Sequence, residues 1–277
     1  MGTLPTDDQL FDQAELGKLP FDIFALEKWD YARPIEQDQE QWDSHAQEWL
    51  DLDARGRHPY HCGDEALPRI ATATADHMNR VLVPHQTVRE RNLSTRTGSA
   101  HQSPVWLRTC YSPELASIYA KWCIDLEYEL GHWAWTLDDE ALYAPFAVNW
   151  SRVLLRVPAI ADKVCYTYED DGNLWDPRED YEPPGQDEEF KMPFYEAMVR
   201  EKTMLFLVGK EALRDKLIKV LWLDIHGACV WDNRLRPSQM LSFRGQIFDN
   251  GGSLAALYEN FPDDPELYKR GLLFTID

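Results

Sequence analysis

The sequence predicts a mainly α fold: one helical domain of about eight helices behind a helical N-terminal arm. Three observations lead there. Residues 112–135 and 211–226 each repeat apolar side chains at the helical period. Runs with the two-residue alternation of a strand are short and few. The chain has 277 residues, 44% of them hydrophobic, which is enough to bury a sizeable core. The alternative is an α+β fold with a small sheet drawn from 106–110, 241–247 and 272–276.

From the start of the chain, residues 1–54 read as an arm of short helices. Leu10, Phe11, Leu16 and Leu19 give way to Phe21, Ile23, Phe24, Leu26 and Trp29, and then Trp42, His45, Trp49 and Leu50 recur at helical spacing. Such an arm would wrap the main domain, 55–277, or a second copy of the chain, making a homo-oligomer. Residues 55–64, with Gly56, Pro59 and Gly63, read as a loop, and 65–82 as an amphipathic helix that Pro84 ends. The polar stretch 85–103 reads as a surface loop and 105–110 as a short strand. Ser112 and Pro113 form a start signal for the central helix. Residues 138–143 and 148–164 continue in helical period. The acidic, proline-bearing segment 168–190 breaks that period and reads as an exposed loop. Residues 193–208 and 211–226 are the last strong helical patterns, followed by a tail of turns and short helices.

The charge balance excludes whole classes of partner. With 48 acidic and 28 basic residues the net charge is −20. Nucleic acid and anionic membrane both require a basic surface, so neither is expected. Five widely spaced cysteines without a C-x-x-C pair suit a reducing compartment, and no apolar run is long enough to span a bilayer. The cytoplasm is the expected location. There is no G-x-G-x-x-G, Walker A, H-E-x-x-H or G-x-S-x-G motif, so nucleotide binding, zinc proteolysis and serine hydrolysis have no support.

Misplaced carboxylates point to a site. Turned at 100° per residue, 211–226 puts Leu213, Leu217, Val220 and Leu221 on one arc with Asp224 near its middle. In 112–135, Glu129 falls between Ile118 and Trp122. Burying an ionised carboxylate costs several kcal/mol unless a cation, metal or hydrogen bonds compensate. Asp125, Glu129 and His132 follow i, i+4, i+7 and share an arc of about 60°. Glu129, His132 and Asp224 are therefore the candidate catalytic residues, and Asp125, Glu129 and Asp224 the candidate oxygen ligands of Mg²⁺. Trp122, Trp133 and Trp222 would wall an aromatic cavity, in a chain with 11 tryptophans. Arg89, Arg91 and Arg96 would hold a phosphate or carboxylate.

The functional expectation is an enzyme of lyase, cyclase or isomerase type. It would act on a small, largely apolar molecule in a helical, aromatic-lined cavity, with or without Mg²⁺. The competing expectation is a non-catalytic acidic protein that binds a basic partner, its internal acids satisfied by arginines.

Overall fold

Five short apolar runs pair into one mixed sheet, so the fold is mixed α/β and the mainly α expectation is overturned. The computed structural model describes residues 16–17, 19–61, 75–97, 105–130, 136–162, 204–240 and 243. The chain divides into two units. The first takes Met1–His101, Ser151–Lys163 and Ile225–Gly227; the second takes Gln102–Trp150, Val164–Asp224 and Ala228–Asp277. The acidic segment 168–190 and the candidate strands 241–247 and 272–276 contribute no described element.

The first unit is helical: α1 (Pro20–Lys28), α2 (Asp38–Asp51), α3 (Ala54–His61), α4 (Ala75–Val81) and α5 (Val88–Thr97), with one further turn at Val153–Arg156. Its core is aromatic. Phe21 meets Trp42 edge-on at 5.1 Å, and Phe24 lies 5.2 Å from Trp49. The Trp42 indole N–H donates to the Leu155 carbonyl at 2.8 Å, which gives a fully buried ring its polar partner.

Buried charge pairs tie these helices together. Asp22, in the first turn of α1, accepts the N–H groups of Gly17 and Leu19 and both guanidinium arms of Arg91 on α5. Arg156 grips Glu90 at 2.6 and 2.8 Å, and Arg80 grips Asp38 through two bonds of 2.8 Å. The stretch 85–103, expected as a loop, is in fact α5 through Thr97. Its start is a capping box: Thr87 Oγ1 accepts the Glu90 N–H at 3.2 Å, and Glu90 Oε2 accepts the Thr87 N–H at 2.7 Å. The 55–64 loop is likewise replaced by α3 through His61, with Pro59 inside it. From α3 the fully buried Arg57 donates to the carbonyls of Trp49 (3.0 Å), Ala161 (3.1 Å) and Ile225 (2.5 Å). Gly227 has φ +74°, a backbone conformation that favours glycine, and a Cβ there would push the terminal methyl of Leu154 aside.

The second unit holds the sheet: β1 (Val105–Arg108), β2 (Thr136–Leu137), β3 (Met204–Val208), β4 (Ile218–Leu223) and β5 (Cys229–Leu235), in the order β2-β1-β3-β4-β5. β1 runs parallel to β2 and β3, while β3, β4 and β5 are antiparallel in turn. Trp106, Phe206, Val220 and Trp222 project from one face into a core completed by Tyr119, Trp122 and Leu126 of α6 (Ala116–Leu130) and Leu213 of α7 (Lys210–Asp215). Val105, Leu107, Leu205 and Leu221 alternate to the opposite face and are buried as well.

The expected helix 211–226 therefore does not exist. α7 ends at Asp215, Lys216 turns the chain, and β4 begins at Ile218. Residues 204–208, expected at the end of a helix, form β3. Among the described residues no helix is long and apolar enough to cross a membrane.

The Asp22–Arg91 pair yields a test. Arg91→Ala leaves a buried carboxylate without its cation and is expected to cost about 3–5 kcal/mol in denaturant unfolding. The double variant Asp22→Ala/Arg91→Ala is expected to be more stable than Arg91→Ala alone.

Candidate functional site

Asp224, the sharpest candidate in the sequence, is a turn residue. It follows β4 and is half-buried; its N–H donates to the Ala228 carbonyl at 3.0 Å, and its Oδ1 accepts the Ala228 N–H at 2.8 Å. That carboxylate closes a hairpin, which accounts for an acid next to apolar strand residues without invoking chemistry. Trp222 is packed in the sheet core. Arg91 is not free for substrate, because it is bound to Asp22. Arg89 is half-buried on α5 and engaged in interactions of its own. Arg96 and Glu129 lie on α5 and α6, with side chains outside the described set; His132 and Trp133 fall outside the described residues altogether. Among the described residues no three His, Cys, Asp or Glu side chains gather in a metal-binding group.

Two candidates do come together. Trp122 and Asp125 both line an open cleft of about 750 Å³ in the second unit. One wall is α6. Its Ser117, Lys121 and Asp125 succeed one another at four-residue spacing, and the Ile118–Trp122 row lies beside them. The facing wall is the end of α7 and its turn, Asp215, Lys216 and Leu217, with Arg236, Pro237 and Ser238 after β5. Ile118, Trp122, Leu217 and Pro237 form an apolar surface, and charged side chains form the rim.

The rim is cationic in a chain that is strongly acidic. Lys121, Lys216 and Arg236 are exposed and form no ion pair among the described residues. Of the two acids lining the cleft, Asp215 is held by Arg214 at 2.8 Å, a hydrogen bond that keeps its carboxyl below the usual range. Asp125 is exposed and forms no ion pair among the described residues.

Lys216 stands out conformationally. It has φ 58° and ψ 36°, the only positive φ of a non-glycine among the described residues. The geometry is a helix-ending turn in which Leu217 N–H returns to the Ala212 carbonyl at 3.0 Å, a position that favours glycine or asparagine. The sequence carries a strand signal here: Lys-Leu-Ile-Lys-Val has alternating apolar residues after Leu217.

At the carboxyl ends of β1 and β2 lies a second polar cluster. Arg108 sits over the rings of Tyr119 (3.9 Å) and Tyr111 (4.3 Å) and reaches Asp138 at 3.2 Å. Tyr119 donates its hydroxyl to Asp138 at 2.8 Å, and Tyr111 donates to the Arg108 carbonyl at 3.1 Å. Burial, reinforced by the Asp138 charge, pushes both phenols above their ordinary range. The cluster locks α6 and β2 onto β1. Asp139 next to it caps the short turn Glu140–Tyr143 by accepting the Leu142 N–H. The acids at 138–140 thus serve helix start and ion pair.

No family model, curated protein or solved structure matches this chain.

The tyrosine cluster yields a pH test with a definite sign. A phenol whose folded pKa lies above its unfolded value near 10 contributes stability that is complete below pH 10 and is lost as pH rises beyond it. Unfolding midpoints should fall above pH 10, and by less in Tyr111→Phe/Tyr119→Phe. At neutral pH, Tyr119→Phe is expected to cost about 1 kcal/mol, the value of one hydrogen bond.

Proposed function

We propose that the second unit binds a small amphipathic anion in the cleft between α6 and the α7–β4 turn. The apolar body lies on Ile118, Trp122, Leu217 and Pro237, and the anionic group faces Lys121, Lys216 and Arg236. The observation that carries this reading is Lys216. A non-glycine in the left-handed region costs roughly 1 kcal/mol, and such strain concentrates where a side chain has work to do. Here the side chain so placed is a cation beside two other cations, each without an ion pair among the described residues, above an apolar floor.

This revises the expectation of an aromatic-lined helical cavity. The ligand remains a small and partly apolar molecule, but its walls are one helix, one turn and the chain after β5. Turnover of the lyase or isomerase type would rest on Asp125, the cleft carboxylate without an ion pair among the described residues, as the group that accepts or returns a proton.

The probe pair that tests this is 8-anilinonaphthalene-1-sulfonate and its uncharged relative N-phenyl-1-naphthylamine. The sulfonate is expected to bind more tightly, with Trp122 near enough to transfer excitation to it. Lys121→Ala, Lys216→Gly and Arg236→Ala should each weaken sulfonate binding about three- to tenfold and leave the neutral probe unaffected. Lys216→Gly should at the same time raise unfolding stability by about 1 kcal/mol. Equal affinity for the two probes, or sulfonate binding indifferent to all three substitutions, would sink the proposal.

A further inference from the structure

The aromatic core of the first unit contains buried nitrogen atoms without a hydrogen-bond partner among the described residues. Trp29, the residue at the carboxyl end of α1, packs 5.8 Å from the ring of His45 on α2 and 5.7 Å from the ring of His85, which lies between α4 and α5. His85 also stacks on Trp42 at 4.9 Å with the planes 15° apart, and His45 meets Phe24 edge-on. Within this group the Trp29 Nε1, the Gln41 Nε2, both ring nitrogens of His45 and the His85 Nε2 are buried without a hydrogen-bond partner among the described residues. Only His85 Nδ1 has one, the Gln39 Oε1 at 3.2 Å. A neutral imidazole tolerates this packing, whereas an imidazolium carries two N–H donors and a charge that need acceptors.

We propose that His45 and His85, both packed on Trp29, form an acid-operated latch: protonation of the two rings unseats Trp29 and releases α1 from α2.

The surrounding charges support the direction. Lys28 of α1 and Arg33 of the following turn oppose a charge on His45, and Glu48 of α2 favours one. Glu48, 3.7 Å from His45, is already paired with Lys28. Asp38 and Asp43 of α2 favour a charge on His85, and Arg156 opposes it. Asp38 is occupied by Nε and Nη2 of Arg80, and Asp43 accepts from Gln39. Burial is the largest influence on both rings and holds each below the ordinary histidine range.

The sign follows from linkage. The unfolded histidines take up protons near their ordinary pKa of about 6.5, the folded ones only at lower pH. The stability given by two neutral rings is therefore complete above about pH 6.5 and is lost as pH falls below it. Two protons taken up on opening raise the opening equilibrium constant by up to about a hundredfold per pH unit. Asp38, whose carboxyl is lowered by the Arg80 hydrogen bond, acts in a separate window below about pH 4.

Hydrogen-exchange mass spectrometry of the full chain at pH 7.5 and 5.5, corrected for intrinsic rates, reads the latch directly. Peptides covering α1 should lose protection at pH 5.5 while those covering β3 and β4 keep it. His45→Phe/His85→Phe, which keeps the ring packing without a titrating group, should hold α1 protected at both pH values. Equal protection of α1 at the two pH values in the wild-type chain overturns the proposal, as does a double variant that opens like wild type. If the double variant does not fold, NMR titration of the wild-type imidazoles decides. Two of the eight histidines should stay neutral below the ordinary range until α1 opens; eight ordinary titrations overturn the latch.

Discussion

The first unit depends on one guanidinium. Arg57 is fully buried, yet its donors reach carbonyl oxygens from parts of the chain far apart in sequence: Trp49 and Leu50 at the end of α2, Ala161, and Ile225. The last carbonyls of a helix lack partners within it, and a cation there also answers the negative end of the helix dipole. The charge is balanced by Asp162 at 3.8 Å, and the face of the guanidinium lies 5.2 Å from the Trp49 ring. Only a planar five-donor fork can span so many acceptors; the three donors of an ammonium on a single atom cannot. Because α2 supplies Trp42, Ala46 and Trp49 to the aromatic core, fixing the end of α2 also fixes the wall on which α1 packs.

In the second unit the corresponding constraint is a sheet buried on both faces. Apolar side chains of β1, β3 and β4 alternate to either side, so neighbouring chain must cover both. On one side α6 and α7 do so, and the row of α6 residues beside its buried stripe is left to form the cleft wall. The Arg108–Asp138–Tyr119 cluster sets where α6 lies, and so indirectly sets the position of Lys121 and Asp125. One face of α6 is thus fixed through Tyr119, while Lys121 and Asp125 on the neighbouring row line the cleft.

Much of this was legible in the letters, and the failures have physical causes. The central helix announced itself through Ser112–Pro113 and its apolar stripe, and β1 through a short apolar run. α5 was missed although Thr87-x-x-Glu90 spells its capping box; the polarity of 85–103 outweighed it. The helix read over 211–226 arose because Leu213, Leu217, Val220 and Leu221 fit a 3.6-residue period, while Ile218, Val220 and Trp222 fit a two-residue period equally well. The usual punctuation between the two, a glycine, is replaced by Lys216. Once that stretch became strand and turn, Asp224 moved from a core arc to a hairpin. Trp122 and Asp125 line one cleft because their placement rests on α6 alone. The partners of Arg57 and the buried nitrogens around Trp29 arise from contacts across long stretches of sequence, which no local pattern encodes.

The mixed sheet also has a history in time. β3, β4 and β5 lie within 204–235 and pair with neighbours in sequence, so this meander closes over short loops. The parallel seam is different: Val105 pairs with Leu205, a hundred residues further on. Closing so long a loop is slow relative to hairpin formation. On the ribosome β1 emerges well before the strand that covers its flank. Until the chain reaches Met204, the Val-Trp-Leu edge lacks its β3 partner, and an unpaired apolar edge is a template for wrong pairing.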